Sequence, residues 1–147
     1  MDGEQELSRS ARAFAITAPQ RRAYAFNQTR QAFLASDLEV ADTHWSRLKG
    51  LMGRSSSAFP AGKGLWIVPC HGVHTLAMGY AIDVVFLDAA KVVVHVEENV
   101  KPWRVTPLRM DAATVIEVPC HTVWNTGTTV GDQIEIVSES GDEVRHE

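Results

Sequence analysis

Two apolar segments that flank a short polar turn constrain the fold of this chain most. The segments are residues 82–87 and 92–96, and the turn between them reads Asp88-Ala89-Ala90-Lys91. Both segments are rich in valine, isoleucine and other residues typical of strands. Apolar segments of this length around a four-residue turn predict a β-hairpin, with Asp88 as its turn residue.

Other segments along the chain also have the residue pattern of strands. A second hairpin is predicted for residues 23–26 and 32–35, around Asn27-Gln28-Thr29-Arg30. The alternation in residues 74–78 is weak, and we interpret this segment as a strand that pairs with residues 82–86. Other predicted strands cover residues 65–68, 114–118 and 133–137.

The principal helix is predicted immediately after residue 42. Asp42 or Thr43 can cap it, and Gly53 suits a left-handed stop. Apolar side chains recur at helical spacing and are expected to face the core, Trp45 among them. These residues are Trp45, Leu48, Leu51 and Met52.

Seven or eight short strands with one principal helix predict a mainly β (α+β) fold. We expect a single compact domain built on a curved, antiparallel-rich sheet or a small barrel. The chain has 147 residues, which is enough to bury a core. The predicted boundaries are a flexible arm over residues 1–20, the domain over 21–138 and a solvated tail over 139–147.

Composition excludes several classes of function. The formal net charge of −4 provides no extended basic surface for nucleic acid. No apolar stretch is long enough for a membrane span, and the acidic start of the chain does not resemble a secretory signal. We therefore expect a cytoplasmic protein whose partner is a small ligand or another protein.

A four-residue phrase occurs twice, as Val68-Pro69-Cys70-His71 and as Val118-Pro119-Cys120-His121. Thiolate and imidazole are ligands for zinc, and a nearby methionine, Met78, would widen the choice toward copper. If the two copies meet, a tetrahedral site predicted from the sequence would use Cys70, His74, Cys120 and His121. In one alternative interpretation both cysteines are small buried hydrophobic residues at strand ends. In another they form a disulfide, which would require their Cα atoms to lie within about 7 Å and an oxidising compartment.

Cys70 also raises the hypothesis of an enzyme. It could act as a thiolate nucleophile, with His74 or His71 as base and Asp83 as the residue that orients the base. The predicted pairing of residues 74–78 with 82–86 places His74 and Asp83 on opposite faces of the sheet, which argues against this role. The sequence favours binding over catalysis.

Asp83 is the charged residue of an otherwise apolar strand. Burial without a partner would be costly, so its carboxylate is expected to accept hydrogen bonds that fix the sheet. If it lies in a cleft, it would instead contact a ligand. The sequence predicts a ligand pocket near the following residues: Cys70, His74, Thr75, Met78 and Asp83.

The order of several motifs resembles a known family, domain of unknown function 192. They are Arg47-Leu48-Lys49-Gly50-Leu51-Met52-Gly53-Arg54, Pro69-Cys70, His74-Thr75, Met78, Ile82-Asp83-Val84-Val85-Phe86-Leu87-Asp88, Val115-Ile116-Glu117-Val118-Pro119 and Val130-Gly131-Asp132. The resemblance covers residues 22–137 and implies a mostly β fold with one packed helix, but no activity. Two departures from the family pattern stand out: Gly79 occupies a position where a basic residue is common, and Cys120-His121 stands where Ala-Gly is usual.

Overall fold

A computed structural model describes residues 23–138 of the chain. Seven strands form one sheet in the order β5-β4-β6-β3-β2-β1-β7. All neighbouring strands are antiparallel except β2 and β3. The strands are β1 Ala23–Asn27, β2 Ala32–Ala41, β3 Lys63–Ile67, β4 Ile82–Leu87, β5 Val93–Val100, β6 Thr114–Pro119 and β7 Ile134–Ser138.

The sheet curls until its two edge strands approach each other at one end. Val92, just before β5, forms an isolated antiparallel bridge with Gln133, just before β7. The Val93 N–H donates to the Asp132 carbonyl at 2.9 Å, and the Gly131 N–H donates to the Val93 carbonyl at 2.8 Å. The result is a half-barrel joined at one rim, which confirms the predicted strand-rich, strongly curved single domain.

Alternation along the central strands produces two buried faces. Trp66, Val85 and Ile116 belong to the core inside the curl. Leu65 and Val84 belong to a second core on the outer face. Central strands buried on both faces read as continuous apolar runs, which is the pattern of β3, β4 and β6.

Both predicted hairpins are present. β4 pairs with β5, and the Asp88 side chain closes the turn by accepting the backbone N–H groups of Ala90 and Val92, each at 2.9 Å. β1 pairs with β2 around the turn at residues 28–31. Local turn chemistry and alternation are therefore sufficient to predict these two units.

The strand predicted at residues 74–78 does not form, so its pairing with residues 82–86 is wrong. β4 already has β5 on one edge and β6 on the other, which leaves no edge for a third partner. Residues 68–81 instead cross the outer face as a loop, within which His74 makes an isolated bridge to Val105. This loop forms one wall of the site described below.

Within residues 23–138, two short helices accompany the sheet, together with a 3₁₀ turn at Ser56–Ala58. The predicted helix is α1, His44–Lys49, and its N-cap is Thr43. Trp45 and Leu48 are 71% and 60% exposed, so their predicted core positions are wrong. The second helix, α2, Thr122–Thr126, begins after a two-residue turn that follows β6, and local sequence patterns do not predict it.

A capping box holds the start of α1. The Thr43 side chain accepts the Ser46 N–H, and the Ser46 hydroxyl accepts the Thr43 N–H, both at 3.0 Å. We expect Thr43→Ala to lower the free energy of unfolding by about 1 kcal/mol, because the Ser46 N–H at the start of the helix loses its acceptor. Urea denaturation measures the loss. Thr43→Ser, which keeps the hydroxyl, should restore most of it, and equal losses in both variants would contradict the capping role.

The predicted arm over residues 1–20 and tail over residues 139–147 lie outside the described residues. In the described part of the chain, no helix has the length and apolar character needed to cross a membrane.

Candidate functional site

A cavity of about 440 Å³ opens on the outer face of the sheet. It lies where the end of α1 and the loop after β3 meet β3 and β6. Apolar side chains form much of its wall, and a small set of polar ones is placed among them. The lining residues are Arg47, Leu48, Gly50, Ile67, Pro69, Cys70, His71, Gly72, Val73, His74, Leu108 and Glu117.

Glu117 supplies a buried carboxyl group to this cavity. It lies on β6 opposite Leu65 of β3 and Val84 of β4, and all three side chains share the outer face. Glu117 is 2% exposed, and its Oε2 atom has no hydrogen-bond partner among the described residues. Burial raises the pKa of this carboxyl to about 8, and the opposing charge of Arg54 only partly counteracts the rise.

Gly50 leaves room in front of that carboxyl group. It ends α1 with a φ of 46°, a conformation that favours glycine. A Cβ atom at this position would lie 3.8 Å from Glu117 Oε2 and 3.9 Å from Oε1. Any larger side chain here would occupy the space beside the carboxyl.

Cys70 lines the cavity as a protonated thiol. Its backbone N–H donates to the Ala113 carbonyl at 2.9 Å, and its thiol donates to the Gly72 carbonyl at 3.0 Å. Burial raises the pKa of the thiol above its ordinary value, with the nearby Glu117 as a smaller cause in the same direction. Since the thiolate is the reactive form, this environment does not activate Cys70 as a nucleophile.

His74 connects the loop to the end of α1. Its Nε2 lies 3.0 Å from the Leu48 carbonyl, and its Nδ1 accepts the Leu76 N–H at 3.2 Å. These partners assign the neutral tautomer with the proton on Nε2, and they occupy both ring nitrogens. His74 therefore positions the cavity wall, while His71 is held through Nδ1 at 2.7 Å from the Ala112 carbonyl.

Arg47 in α1 and Arg54 shortly after it each contact another side chain. Arg54 pairs with Glu39 of β2 at 2.9 Å. Arg47, which lines the cavity, places one Nη atom 2.8 Å from His44 Nδ1. A third polar group on this face is the Tyr80 hydroxyl, which is buried without a hydrogen-bond partner among residues 23–138.

Asp83 lies on the opposite face of the sheet from the cavity. It pairs with Val118, a residue of the core inside the curl. Its carboxylate accepts the Asn99 N–H at 2.9 Å and the Val123 N–H at 3.0 Å, which ties the end of β5 and the start of α2 to β4. Asp83 therefore accepts hydrogen bonds that fix the sheet, and the structure does not place it beside Cys70 as the sequence predicts.

The two copies of the repeated phrase lie at opposite ends of the sheet. The cysteine of each copy lies just beyond the end of a strand, β3 or β6, and these two strands are antiparallel. The Cys70 N–H donates a hydrogen bond to the carbonyl of Ala113, the residue just before β6. From there the chain is largely extended, and at about 3.4 Å per residue it reaches Cys120 roughly 20 Å further along. Both cysteines are free, and Cys120 donates to Asn99 Oδ1 at 3.5 Å.

The predicted metal set is therefore divided between two ends of the molecule. Cys70 and His74 lie at the cavity, whereas Cys120 and His121 lie beside α2. Among residues 23–138, no group of three or more His, Cys, Asp or Glu side chains is arranged to hold a metal ion. A single four-ligand zinc or copper site required the two phrases to meet, and the fold keeps them apart.

Of the other predicted pocket residues, Met78 packs in the outer core near the cavity. Thr75 is buried, and its hydroxyl donates to the Lys101 carbonyl at 2.6 Å. It fixes the loop against residues 101–104. The structure thus gathers Cys70 and His74 at one site, with Met78 in the packing behind the loop.

Comparison with known proteins agrees with this architecture. Residues 25–136 match the model of the DUF192 family, described as "Uncharacterized ACR". The chain belongs to the DUF192 family. A UPF0127 protein of Pyrococcus furiosus is 31% identical over 74% of this chain and 94% of its own length. Another, from Thermococcus sibiricus, is 27% identical over 74% of this chain and 71% of its own.

A solved structure shows the same fold as this DUF192 chain. It is a protein of unknown function from Novosphingobium aromaticivorans, with a TM-score of 0.67 and 18% sequence identity, covering 82% of this chain and 88% of that one. At this level of sequence identity, the similarity shows only that the two proteins share a fold. The family resemblance seen in the motifs is confirmed by the match to the family model.

Glu117 is the residue of this DUF192 site that reasoning from the sequence missed. It carries the same signal as Asp83, a single carboxylate in an apolar strand that is buried on both faces. The pattern identifies both strands as central. Deciding which carboxylate faces a cavity requires knowing what covers each face, and the covering loop at residues 68–81 is an irregular segment.

Proposed function

We propose that this protein binds a small, predominantly apolar organic molecule in the cavity between α1 and the loop after β3. One observation carries the proposal, the Glu117 carboxyl group that is buried at the cavity without a hydrogen-bond partner among the described residues. Leaving such a group unpaired costs about 1–3 kcal/mol. A ligand that pairs with it would recover that free energy on binding.

The size and chemistry of the cavity support the same function. Small-molecule sites have volumes of about 300–1,000 Å³ and combine apolar walls with few polar groups. Here Leu48, Ile67 and Val73 contribute apolar surface, and Glu117 lies among them. The protonated Cys70 thiol, which points to a backbone carbonyl, favours reversible binding over covalent chemistry.

The two cysteines provide a probe and an internal control for this proposal. Cys120→Ser leaves Cys70 at the cavity as the reporter, and Cys70→Ser leaves Cys120 at the far end. The probe is hexanamide, because its amide group can pair with either protonation state of Glu117. We expect hexanamide at ten times its Kd to slow alkylation of Cys70 by iodoacetamide about elevenfold, since only the free protein reacts.

Alkylation of Cys120 should be unchanged by the same hexanamide concentrations, since this thiol lies beside Asn99 at the other end of the sheet. Two results would contradict the proposal. One is equal slowing of both thiols, which indicates a nonspecific effect. The other is no slowing of Cys70 by hexanamide, phenylacetamide, hexanoate or hexylamine up to their solubility limits.

A further inference from the structure

We propose that the bound molecule is a small carboxylic acid, whose carboxylate accepts a hydrogen bond from the protonated Glu117 side chain and faces the Arg47 guanidinium. This inference rests on the proposed function and names the chemical class of its ligand. The choice of a carboxylic acid depends on which polar groups at the cavity already have hydrogen-bond partners, and on the charges of the side chains that line it.

Most polar groups at the cavity already have partners in the protein. The Cys70 thiol donates to the Gly72 carbonyl, and both nitrogens of His74 are engaged. His71 is held through Nδ1 by the Ala112 carbonyl. The Glu117 carboxyl is the buried group that these contacts leave for a ligand.

The environment of Glu117 keeps its proton in place at neutral pH. Desolvation on β6 raises its pKa to about 8, and Arg54, after α1, acts in the opposite direction. From the loop at residues 68–81, Cys70 and Tyr80 face the same region, and burial raises the pKa of each, so both are neutral. A protonated carboxyl group donates a hydrogen bond, and its complement on the ligand is an acceptor oxygen.

The charge at the cavity also favours an anion. With Glu117 and Cys70 neutral, the charged side chain that lines the cavity is Arg47. One Nη atom of Arg47 contacts His44, and the guanidinium has other N–H groups free to bind a carboxylate. An ammonium ligand would face a cation and would have to displace the Glu117 proton.

Three six-carbon probes that differ in their head groups test this assignment. Hexanoate, hexanamide and hexylamine are compared at a pH near 6.5, with protection of Cys70 in the Cys120→Ser variant as the readout. We expect hexanoate to bind about tenfold more tightly than hexanamide, because its charge-assisted hydrogen bond is roughly twice as strong. Hexylamine should bind more weakly than both.

The pH dependence separates Glu117 from other causes of anion binding. Above a pH of about 8 the affinity for hexanoate should fall about tenfold per pH unit, because only protonated Glu117 donates. In Glu117→Gln the amide N–H donates at every pH, so hexanoate should still bind and the decline should disappear. The affinity of wild-type protein for hexanamide should change little.

Two variants of α1 test the role of Arg47. Arg47→Met should weaken hexanoate binding about tenfold and weaken hexanamide binding far less, because it removes a charge at the cavity. Lys49→Met removes the same charge from the exposed end of the helix, outside the cavity lining, and should leave hexanoate affinity unchanged. Equal effects of the two variants would overturn the assignment of Arg47.

The outcomes distinguish this inference from the proposed function. If hexylamine binds more tightly than hexanoate, or if hexanoate affinity rises with pH, the carboxylic-acid assignment is wrong. Hexanamide binding in the same experiment would still support a small-molecule site. If none of the three probes protects Cys70, both the site and its assigned ligand class are overturned.

Discussion

Glu117→Gln is expected to remove a pH dependence of about 4–5 kcal/mol from the stability of this protein. The carboxyl group has a pKa of about 8 in the fold and an ordinary value of 4.5 when exposed. Between these values the unfolded chain has lost the proton that the folded chain retains. Unfolding therefore releases one proton, and the free energy of unfolding falls by about 1.4 kcal/mol per pH unit.

The direction of this pH dependence follows from the raised pKa of Glu117 in the folded state. The contribution of Glu117 is fully present below a pH of about 4.5, declines as the pH rises, and is lost above a pH of about 8. The amide group that the substitution introduces does not titrate in this range. The variant should therefore become progressively more stable relative to wild type between these limits, whatever the offset between the two proteins at low pH.

Urea denaturation of both proteins at a series of pH values measures this difference directly. Glu98→Gln is the matched control, because it removes an exposed carboxylate from β5 and should leave the difference from wild type nearly constant. Parallel curves for wild type and Glu117→Gln would mean that Glu117 is ionised in the fold. That result would also remove the protonated donor required by the proposed ligand.

Local patterns in the sequence predict all seven strands of the sheet and both hairpins, but they also predict a strand at residues 74–78 that does not form. Asp88 closes its turn with the contacts that its position implies, and the continuous apolar run of β3 is buried on both faces. The same patterns predict the helix α1, but they assign its apolar side chains to the core. Trp45 and Leu48 are instead exposed, because a six-residue helix is held by its cap and its loops rather than by a packed stripe.

The site depends on topology, which local patterns do not contain. Cys70 and Cys120 have the same neighbours in sequence, but antiparallel pairing of β3 and β6 places them at opposite ends. Asp83 and Glu117 are likewise each the single carboxylate of an apolar strand, but their side chains face opposite sides of the sheet. Cys70 and His74 do line the cavity as predicted, but its buried acid is Glu117 and not the predicted Asp83.

Asp83→Ala is expected to lower the free energy of unfolding by about 3–5 kcal/mol. Asp83 is 1% exposed, and its carboxylate accepts the backbone N–H groups of Asn99 and Val123. Hydrogen bonds to charged groups contribute about 1.5–3 kcal/mol each, and the variant would leave both donors without their acceptor. The end of β5 and the start of α2 would lose their common attachment to β4.

Asp88→Ala is the matched control for this substitution. Asp88 also accepts two backbone N–H groups, those of Ala90 and Val92, but it does so at a half-exposed turn where water can replace it. We therefore expect a loss of only about 1 kcal/mol in this variant. Urea denaturation compares the two, and hydrogen exchange should show faster exchange at the Val123 amide in Asp83→Ala alone. Equal losses in both variants would contradict the argument that burial makes the Asp83 contacts strong.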